Sequence, residues 1–152
     1  MHTRFATFQD IPAVCELMKQ FSSEARVGFR SWSTEQDTPR IFKLVTRWQQ
    51  HHYVRVAVQD TEIVGTLIAE QGADFWDPER KLLQERAWFV NQSHRGSRAG
   101  AVLWRAWDQD CEQYLEQGKV QAVLLSTQGP DTNFDPGRRG WKLIEQTWMK
   151  EA

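Results

Sequence analysis

The stretch of sequence that decides the fold reads Trp88-Phe89-Val90-Asn91-Gln92-Ser93-His94-Arg95-Gly96-Ser97-Arg98-Ala99-Gly100-Ala101-Val102-Leu103. An apolar strand ends here, a turn of small residues follows, and an amphipathic helix begins. Unpaired N–H groups at a helix start, aided by the helix dipole, favour an anion such as a pyrophosphate. The turn is neither a P-loop, which ends in Gly-Lys-Ser/Thr, nor a dinucleotide fingerprint with its three spaced glycines. Small residues at 95–100, with Arg95 or Arg98 for charge, therefore predict an anion site in this segment, the 95–100 turn.

The helix that follows the turn has the best helical pattern in the chain. We predict it over residues 99–118, with Gly118 as its C-terminal stop. The next segment, residues 122–126, is a continuous apolar run and predicts a strand buried on both faces. A strand, a helix and a second strand therefore surround the turn.

Upstream of the turn the sequence predicts further strands. Residues 53–58 and 63–69 are apolar runs around four polar residues, which is typical of an antiparallel hairpin. Residues 71–81 predict a loop, and residues 82–90 predict the strand that leads into the turn.

Two helices precede these strands. Asp10 with Pro12 opens the first and Thr38 with Pro39 opens the second, because a capping side chain and a first-turn proline suit a helix start. A short strand is predicted at residues 4–7 and a last strand at residues 141–150. The order of elements predicts a single α+β domain over residues 1–152, in which helices pack on the faces of a sheet.

The composition restricts the class of protein. The 152 residues include 19 basic and 20 acidic residues, so the charge balance does not argue for a nucleic-acid partner, although it excludes no local patch. Cys15 and Cys111 are far apart and outside any disulfide or zinc spacing, so we expect no metal. No apolar run has the length of a signal peptide or a membrane span, and we expect a cytoplasmic protein.

The residues of the turn resemble the signature of the GNAT (Gcn5-related N-acetyltransferase) superfamily. That signature is Arg/Gln-x-x-Gly-x-Gly/Ala after the fourth strand, with a leucine three residues later, and Arg95, Gly100 and Leu103 match it. Arg98 replaces the middle glycine, which is tolerable if its φ is negative. The element order also matches, and Gly140-Trp141 looks like the family's Gly-aromatic step before its last strand. Residues 94–100 and the Arg/Trp-rich helix are similar to small bacteriophage-type members.

The resemblance implies a fold and a co-substrate. The fold would be α+β, with a mixed, mostly antiparallel sheet of six to seven strands and helices on both faces. The central parallel pair would be splayed to hold acetyl-CoA, whose pantetheine arm would pair with the backbone of Phe89 and Val90. The pyrophosphate would lie on the amides of the turn, which are those of Arg95, Gly96, Ser97, Arg98, Ala99 and Gly100.

The resemblance also implies that an amine attacks the thioester directly while a base takes a proton from it. A glutamate late on the fourth strand commonly has this role. Glu85 is the first candidate, although alignment on Val90 brings Gln84 to the position that some relatives use. Glu70, at the end of the preceding strand, is the second candidate.

The family's proton donor to the thiolate, a tyrosine, has no counterpart in residues 133–137. Water, Ser126 or Thr127 could protonate the thiolate, or it could leave without help. The only tyrosines, Tyr53 and Tyr114, are predicted to be core residues.

Two loops, residues 22–37 and 71–81, are expected to face the acceptor. Their acidic and aromatic residues suit a cationic amine, whether a polyamine, a lysine side chain or an aminoglycoside-like molecule. A host protein or an amine on modified DNA is the alternative for a bacteriophage-type member. The candidate substrate-binding residues are Phe29, Arg30, Trp32, Asp74 and Trp76.

Two other classes of protein compete with an enzyme. One is a catalytically silent protein of the same fold that binds acyl-CoA or a partner. The other is a nucleotide-binding α/β domain of an unrelated family. Each of these classes is compatible with a homodimer.

Overall fold

The computed structural model describes residues 1–24, 37–126 and 135–144. Within them the chain forms five strands and three α-helices, and shorter 3-10 turns lie at Phe8–Asp10, Gln92–His94 and Pro136–Arg139. The elements in chain order are β1 (His2–Phe5), α1 (Ile11–Glu24), α2 (Thr38–His51), β2 (Tyr53–Gln59), β3 (Glu62–Ala73), β4 (Lys81–Val90), α3 (Ala99–Glu116) and β5 (Ala122–Leu124).

The strands form one sheet in the order β1-β2-β3-β4-β5. The first three pairings are antiparallel and β4 pairs with β5 in parallel, which confirms the mixed, mostly antiparallel sheet. The predicted count of six to seven strands is too high for the described residues, which form five. Residues 141–144 form no strand, and the Trp141 indole N–H donates to Asp108 on α3 at 3.0 Å. Residues 145–150 of the predicted last strand lie outside the described part.

Helices cover both faces of the sheet, as expected. α1 and α2 pack on one face, in a core that includes Ile11, Val56 and Ile68. α3 packs on the other face, where Leu103 and Trp107 have no exposed surface. The two cores fix the orientation of the sheet between the helices.

Both helix starts form near their predicted positions, with one difference in capping. α2 begins at Thr38 with Pro39 in its first turn. The carboxylate of Asp10 binds back to the Thr7 amide at 2.6 Å and to Arg4 at 2.6 and 2.9 Å. Asp10 therefore closes the 3-10 turn ahead of α1 and ties that turn to β1.

Several element boundaries differ from the prediction, and β1 lies at His2–Phe5 rather than at residues 4–7. β3 extends to Ala73 and β4 begins at Lys81, so the loop between them is only residues 74–80. α3 ends at Glu116, and Gly118 follows with a φ of 64°, a conformation that glycine adopts without strain. β5 is short and half-buried rather than buried on both faces, because in the described sheet it is an edge strand.

Candidate active site

The parallel pair β4–β5 is joined for only part of its length. The paired residues are Leu82 with Ala122, Leu83 with Val123, and Gln84 with Leu124. From Glu85 to Val90, β4 is paired with β3 alone among the described strands. Among the described residues, this half of β4 therefore presents an open edge that leads directly to the 95–100 turn.

The backbone of Val90 faces this open edge. A Cβ placed on Gly65 of β3 would lie 3.0 Å from the carbonyl oxygen of Phe89, so that carbonyl points at β3. Backbone groups alternate in direction along an antiparallel strand, and Val90 therefore points the other way. The Arg95 Nε donates to the Val90 carbonyl at 3.3 Å, which confirms this direction. Of the two residues expected to pair with a pantetheine arm, Val90 has its backbone at the edge.

The 95–100 turn leaves alternate amides available. The amides of Arg95 and Ser97 donate to carbonyls of the preceding 3-10 turn, and that of Ala99 donates to the Ser97 hydroxyl. Within the described chain, no acceptor is recorded for the amides of Gly96, Arg98 and Gly100. The turn can therefore offer three N–H groups to an anion at the start of α3.

The backbone conformations of two residues decide whether the 95–100 turn is compatible with the family signature. Gly96 has a φ of 80°, in the left-handed region that favours glycine. Arg98 has a φ of −77°, so its replacement of the family's middle glycine involves no backbone strain. A Cβ on Gly100 would meet only the Val90 side chain, at 3.9 Å, which leaves open space beside the helix start.

The guanidinium of Arg95 lies away from the turn. It forms an ion pair with Glu24 at the end of α1 and lies over the Phe89 ring at 5.3 Å. With its bond to the Val90 carbonyl, it covers part of the open edge. Arg98, which is exposed, is the arginine whose side chain is left to the turn itself.

Glu85 lies where β4 and β5 part. It is 7% exposed, and its Oε2 accepts the Ser126 amide at 3.4 Å, so the carboxyl bridges to the chain just after β5. Burial raises the pKa of this carboxyl to about 7, although the Ser126 amide and the charge of Arg86 counteract part of the shift. Glu85 pairs with Ala69, which belongs to the core under α3, so its side chain leaves β4 on the α3 side.

Glu70 faces the opposite side of the sheet. Its Oε1 accepts the Trp48 indole N–H at 2.7 Å and its Oε2 accepts Arg86 Nε at 3.0 Å. Burial raises the pKa of Glu70, but these hydrogen bonds and the Arg86 charge outweigh burial and hold it below its usual range. The two candidate bases therefore differ in chemistry: Glu85 can exchange a proton near neutral pH, and Glu70 stays a carboxylate.

A β-bulge lies directly after Glu85 on β4. The register of β3 and β4 shifts between Ile68 and Ala69, which leaves Arg86 as an extra residue on β4. Arg86 leaves β4 on the same face as Gln84 and Glu70, as alternation along a strand requires, and the bulge places the following Ala87 on that face too.

The tyrosines lie in the core, as predicted. Tyr53 is 2% exposed and its hydroxyl donates to Asp110 at 2.6 Å, and Tyr114 packs edge-on against its ring. Of the two hydroxyl residues considered as proton donors, Ser126 adjoins Glu85, and Thr127 lies outside the described residues.

The predicted acceptor-binding residues are divided. Phe29, Arg30 and Trp32 lie outside the described part of the chain. Asp74 and Trp76 lie in the β3–β4 loop, at the end of β4 opposite to the 95–100 turn. The Asp74 carboxylate accepts the Trp76 amide at 2.9 Å and Arg80 at 3.3 Å, so it braces the loop, and Trp76 is 88% exposed.

The structure adds residues that the sequence did not single out. Glu24 holds Arg95 across 71 positions of sequence, and Trp48 and Arg86 hold Glu70. A row of three indole rings joins β4 to α3 and the C-terminal segment: Trp88 stacks on Trp104 with centroids 5.9 Å apart, and Trp141 lies tilted against Trp104 at 5.8 Å. Their charged or aromatic side chains are visible in the sequence, but no spacing links them to their partners, which are distant in sequence.

Parallel strands that part beside a helix start, in a mostly antiparallel sheet with helices on both faces, define the acetyltransferase fold that the sequence signature suggested. Residues 13–133 match the Acetyltransferase (GNAT) family, and the chain belongs to this family. No curated protein sequence matches the chain.

Solved structures share this fold at low sequence identity. A possible acetyltransferase from Clostridium difficile has a TM-score of 0.70 and 12% identity, and the match covers 99% of this chain and 97% of that one. An acetyltransferase from Trypanosoma brucei has a TM-score of 0.66 and 17% identity, with 99% of each chain covered. A transcriptional regulator from Bacillus halodurans has a TM-score of 0.66 and 18% identity, covering 98% of this chain and 97% of that one.

Two further properties concern the described residues only. None of their helices combines the length and the apolar character that a membrane crossing requires. No group of three or more His, Cys, Asp or Glu side chains among them is arranged to hold a metal ion.

Proposed function

We propose that the protein is an N-acetyltransferase that transfers an acetyl group from acetyl-CoA to a primary amine by direct attack. The observation that carries this proposal is the continuity of the site. The open edge of β4 at Val90 runs into a turn with three available amides at the start of α3. A ligand with an extended amide-bearing arm and a pyrophosphate suits this arrangement, the arm along the strand edge and the pyrophosphate against the amides of the turn.

The residues present fit acetyl-CoA. The N–H of Val90 would donate to a pantetheine carbonyl, while its own carbonyl accepts Arg95, and the amides of Gly96, Arg98 and Gly100 would hold the pyrophosphate. When bound, acetyl-CoA supplies a thioester whose carbonyl carbon accepts the amine. The narrow side of the gap, where β4 and β5 are still paired at Gln84 and Leu124, limits how far the arm can enter.

Glu85 is the base that we propose. The amine must lose its ammonium proton before attack and a second proton as the C–N bond forms and the C–S bond breaks; the thiolate regains one proton. A carboxyl group with a pKa of about 7 can accept a proton at neutral pH, directly or through water. Water or Ser126, whose amide binds Glu85, would return a proton to the thiolate.

The same change, glycine to aspartate, made at two positions in separate variants tests the cofactor site. Gly100→Asp adds a negative charge where the pyrophosphate would bind, while an acidic residue in a first helical turn favours the helix itself. We expect acetyl-CoA affinity, measured by calorimetry, to fall at least about tenfold. Gly72→Asp, in the exposed end of β3, is the matched control and should bind like the wild type. Equal affinity for both variants would refute this site.

A second candidate function is an acyl-CoA-binding or partner-binding module without catalysis. Two observations favour it: residues 133–137 contain no tyrosine, and one structural relative is described as a transcriptional regulator. Thiol release, measured with acetyl-CoA and a panel of amines, separates the two functions. Release that depends on an amine supports the enzyme, and tight CoA binding without release supports the module. The cytoplasmic location, the homodimer and the bacteriophage likeness stay predictions.

A further inference from the structure

A second cavity lies on the α1 and α2 side of the sheet. It has a volume of about 230 Å³ and is lined by side chains of α1, α2, β3 and β4. Most of the described lining is apolar, and its apolar residues are Met18, Phe21, Leu44, Trp48 and Ala87.

The cavity adjoins the open half of β4. Arg86 and Ala87 line it, and both follow Gln84, the last residue of β4 that pairs with β5. A molecule in the cavity would therefore lie on the α1 and α2 face of the half of β4 that is not paired with β5, where the proposed function requires the thioester to be within reach.

Glu70 gives the cavity one acceptor for an amine. Its two oxygens receive one hydrogen bond each, from Trp48 and from Arg86. An ionised carboxylate has about four lone-pair positions, so roughly two are left for N–H donors of a ligand. Ser22, the remaining polar residue of the described lining, donates its hydroxyl to the Lys19 carbonyl.

The charge of the cavity limits which amines it suits. Among the described lining residues the charges are those of Glu70 and Arg86, and these are paired with each other. A second ammonium group would lie among Met18, Phe21 and Leu44 and would find no counter-charge in the described lining, which is costly in an apolar environment. The volume corresponds to roughly eight water-sized units, which is enough for a short amine and its carbon chain.

We propose that this cavity is the acceptor site and that it selects small primary monoamines with an apolar body over polyamines. The inference rests on the proposed function and names its substrate class. Glu70 accepts N–H groups of the amine and orients it, and the apolar residues of α1 and α2 surround its carbon chain. Because Glu85 leaves β4 on the opposite face, the proton of the amine would reach it through water in the gap between β4 and β5.

Matched amines test this selectivity. Hexylamine and hexamethylenediamine have the same carbon chain and differ by one ammonium group. We expect kcat/KM for acetyl transfer to be about tenfold or more higher for hexylamine. Equal rates, or a preference for the diamine, would overturn the inference and leave the proposed function standing.

A substitution in the cavity should reverse the preference. Leu44→Glu introduces a carboxylate into the apolar part of the lining and remains compatible with helix α2. We expect it to favour hexamethylenediamine over hexylamine. Phe42→Glu, on the same helix but exposed and outside the described lining, is the control and should keep the wild-type preference. A Leu44→Glu variant with unchanged preference would contradict the proposal.

A binding measurement tests the site without any turnover. Hexylamine bound at Glu70 should shift the NMR signal of the Trp48 indole N–H, which donates to Glu70 and which Trp48→Phe identifies. A saturable shift supports the site even if no amine is acetylated, an outcome that would remove only the proposed enzyme function. The absence of a shift up to millimolar hexylamine would overturn the inference, whatever the activity.

Discussion

Glu85 combines deep burial with a position at the point where two strands part. Because burial raises the pKa of its carboxyl to about 7, the group changes charge within the range in which an enzyme can be assayed. A base must be ionised to accept a proton, so activity should be lost as the pH falls through about 7. We predict that wild-type kcat/KM has an inflection there, in addition to the slope due to ionisation of the amine.

Glu85→Gln should remove this inflection. We expect kcat to fall about a hundredfold, the usual contribution of a general base, with acetyl-CoA affinity unchanged. Glu79→Gln, an exposed glutamate in the β3–β4 loop, is the control for the loss of one carboxyl group. Rate profiles from pH 5.5 to 9 check the prediction, and a Glu85→Gln variant that keeps the inflection would show that another group is the base.

Arg95 matches the family signature in sequence, yet its charge is bound elsewhere. Glu24 and the Val90 carbonyl hold the guanidinium across the open edge of β4. Glu24→Gln should free it to reach the turn and raise acetyl-CoA affinity by up to about fivefold, because an exposed ion pair contributes up to about 1 kcal/mol. Calorimetry at low salt measures the change. Glu16→Gln, which loses a surface pair with Lys19 on the same helix, should leave the affinity unaltered.

At the scale of elements, one buried polar group ties α3 to the sheet. The Asp110 carboxylate accepts the Tyr53 hydroxyl at 2.6 Å and lies 2.8 Å from the Arg55 guanidinium, which also lies over the Phe5 ring at 4.5 Å. The Arg55 and Asp110 side chains are 14% and 13% exposed, so the pair is largely shielded from water.

Asp110→Ala should therefore destabilise the protein more than a surface mutation does. It leaves the Arg55 charge and the Tyr53 hydroxyl without their partner, and we expect the free energy of unfolding to fall by about 3 kcal/mol. Urea denaturation measures this change. Glu16→Ala breaks a surface ion pair and should cost less than about 1 kcal/mol. Similar costs for the two variants would mean that Asp110 contributes little to holding α3.

The elements themselves were largely predictable from the sequence. The helix starts at Thr38 and Ala99 follow from local signals: a first-turn proline, small residues and apolar periodicity. The half-burial of β5 was not, because an apolar run carries no information on whether a neighbour covers its second side. The bulge at Arg86 was also hidden, since register depends on both strands together.

At the scale of the whole molecule, the candidate site was predictable only in part. The turn is a local motif and could be found in the sequence. Whether Arg98 fits in place of glycine depends on its φ, which only the structure gives. The contrast between Glu85 and Glu70 could not, because it arises from burial beside Ser126 in one case and from Trp48 and Arg86 in the other. Contacts of that kind join positions that are far apart in sequence, and no spacing reports them.

The carboxyl groups of Glu85 and Asp10 make the free energy of unfolding depend on pH. Glu85 has a folded pKa of about 7 against an ordinary 4.5, so its contribution is complete below about 4.5 and is lost as the pH rises through 7, by about 3 kcal/mol. Asp10, bound by Arg4 and Thr7, has a pKa lowered to about 2 from 3.8, so its contribution is present above about 4 and is lost as the pH falls towards 2. The free energy of unfolding should therefore be greatest near pH 4 to 5.

Urea denaturation across pH 2 to 8 checks this, with Glu85→Gln flattening the neutral side and Asp10→Asn the acidic side. If Glu85→Gln lost as much stability as the wild type between pH 5 and 8, the loss would come from other groups, and the case for Glu85 as a titrating base would weaken with it.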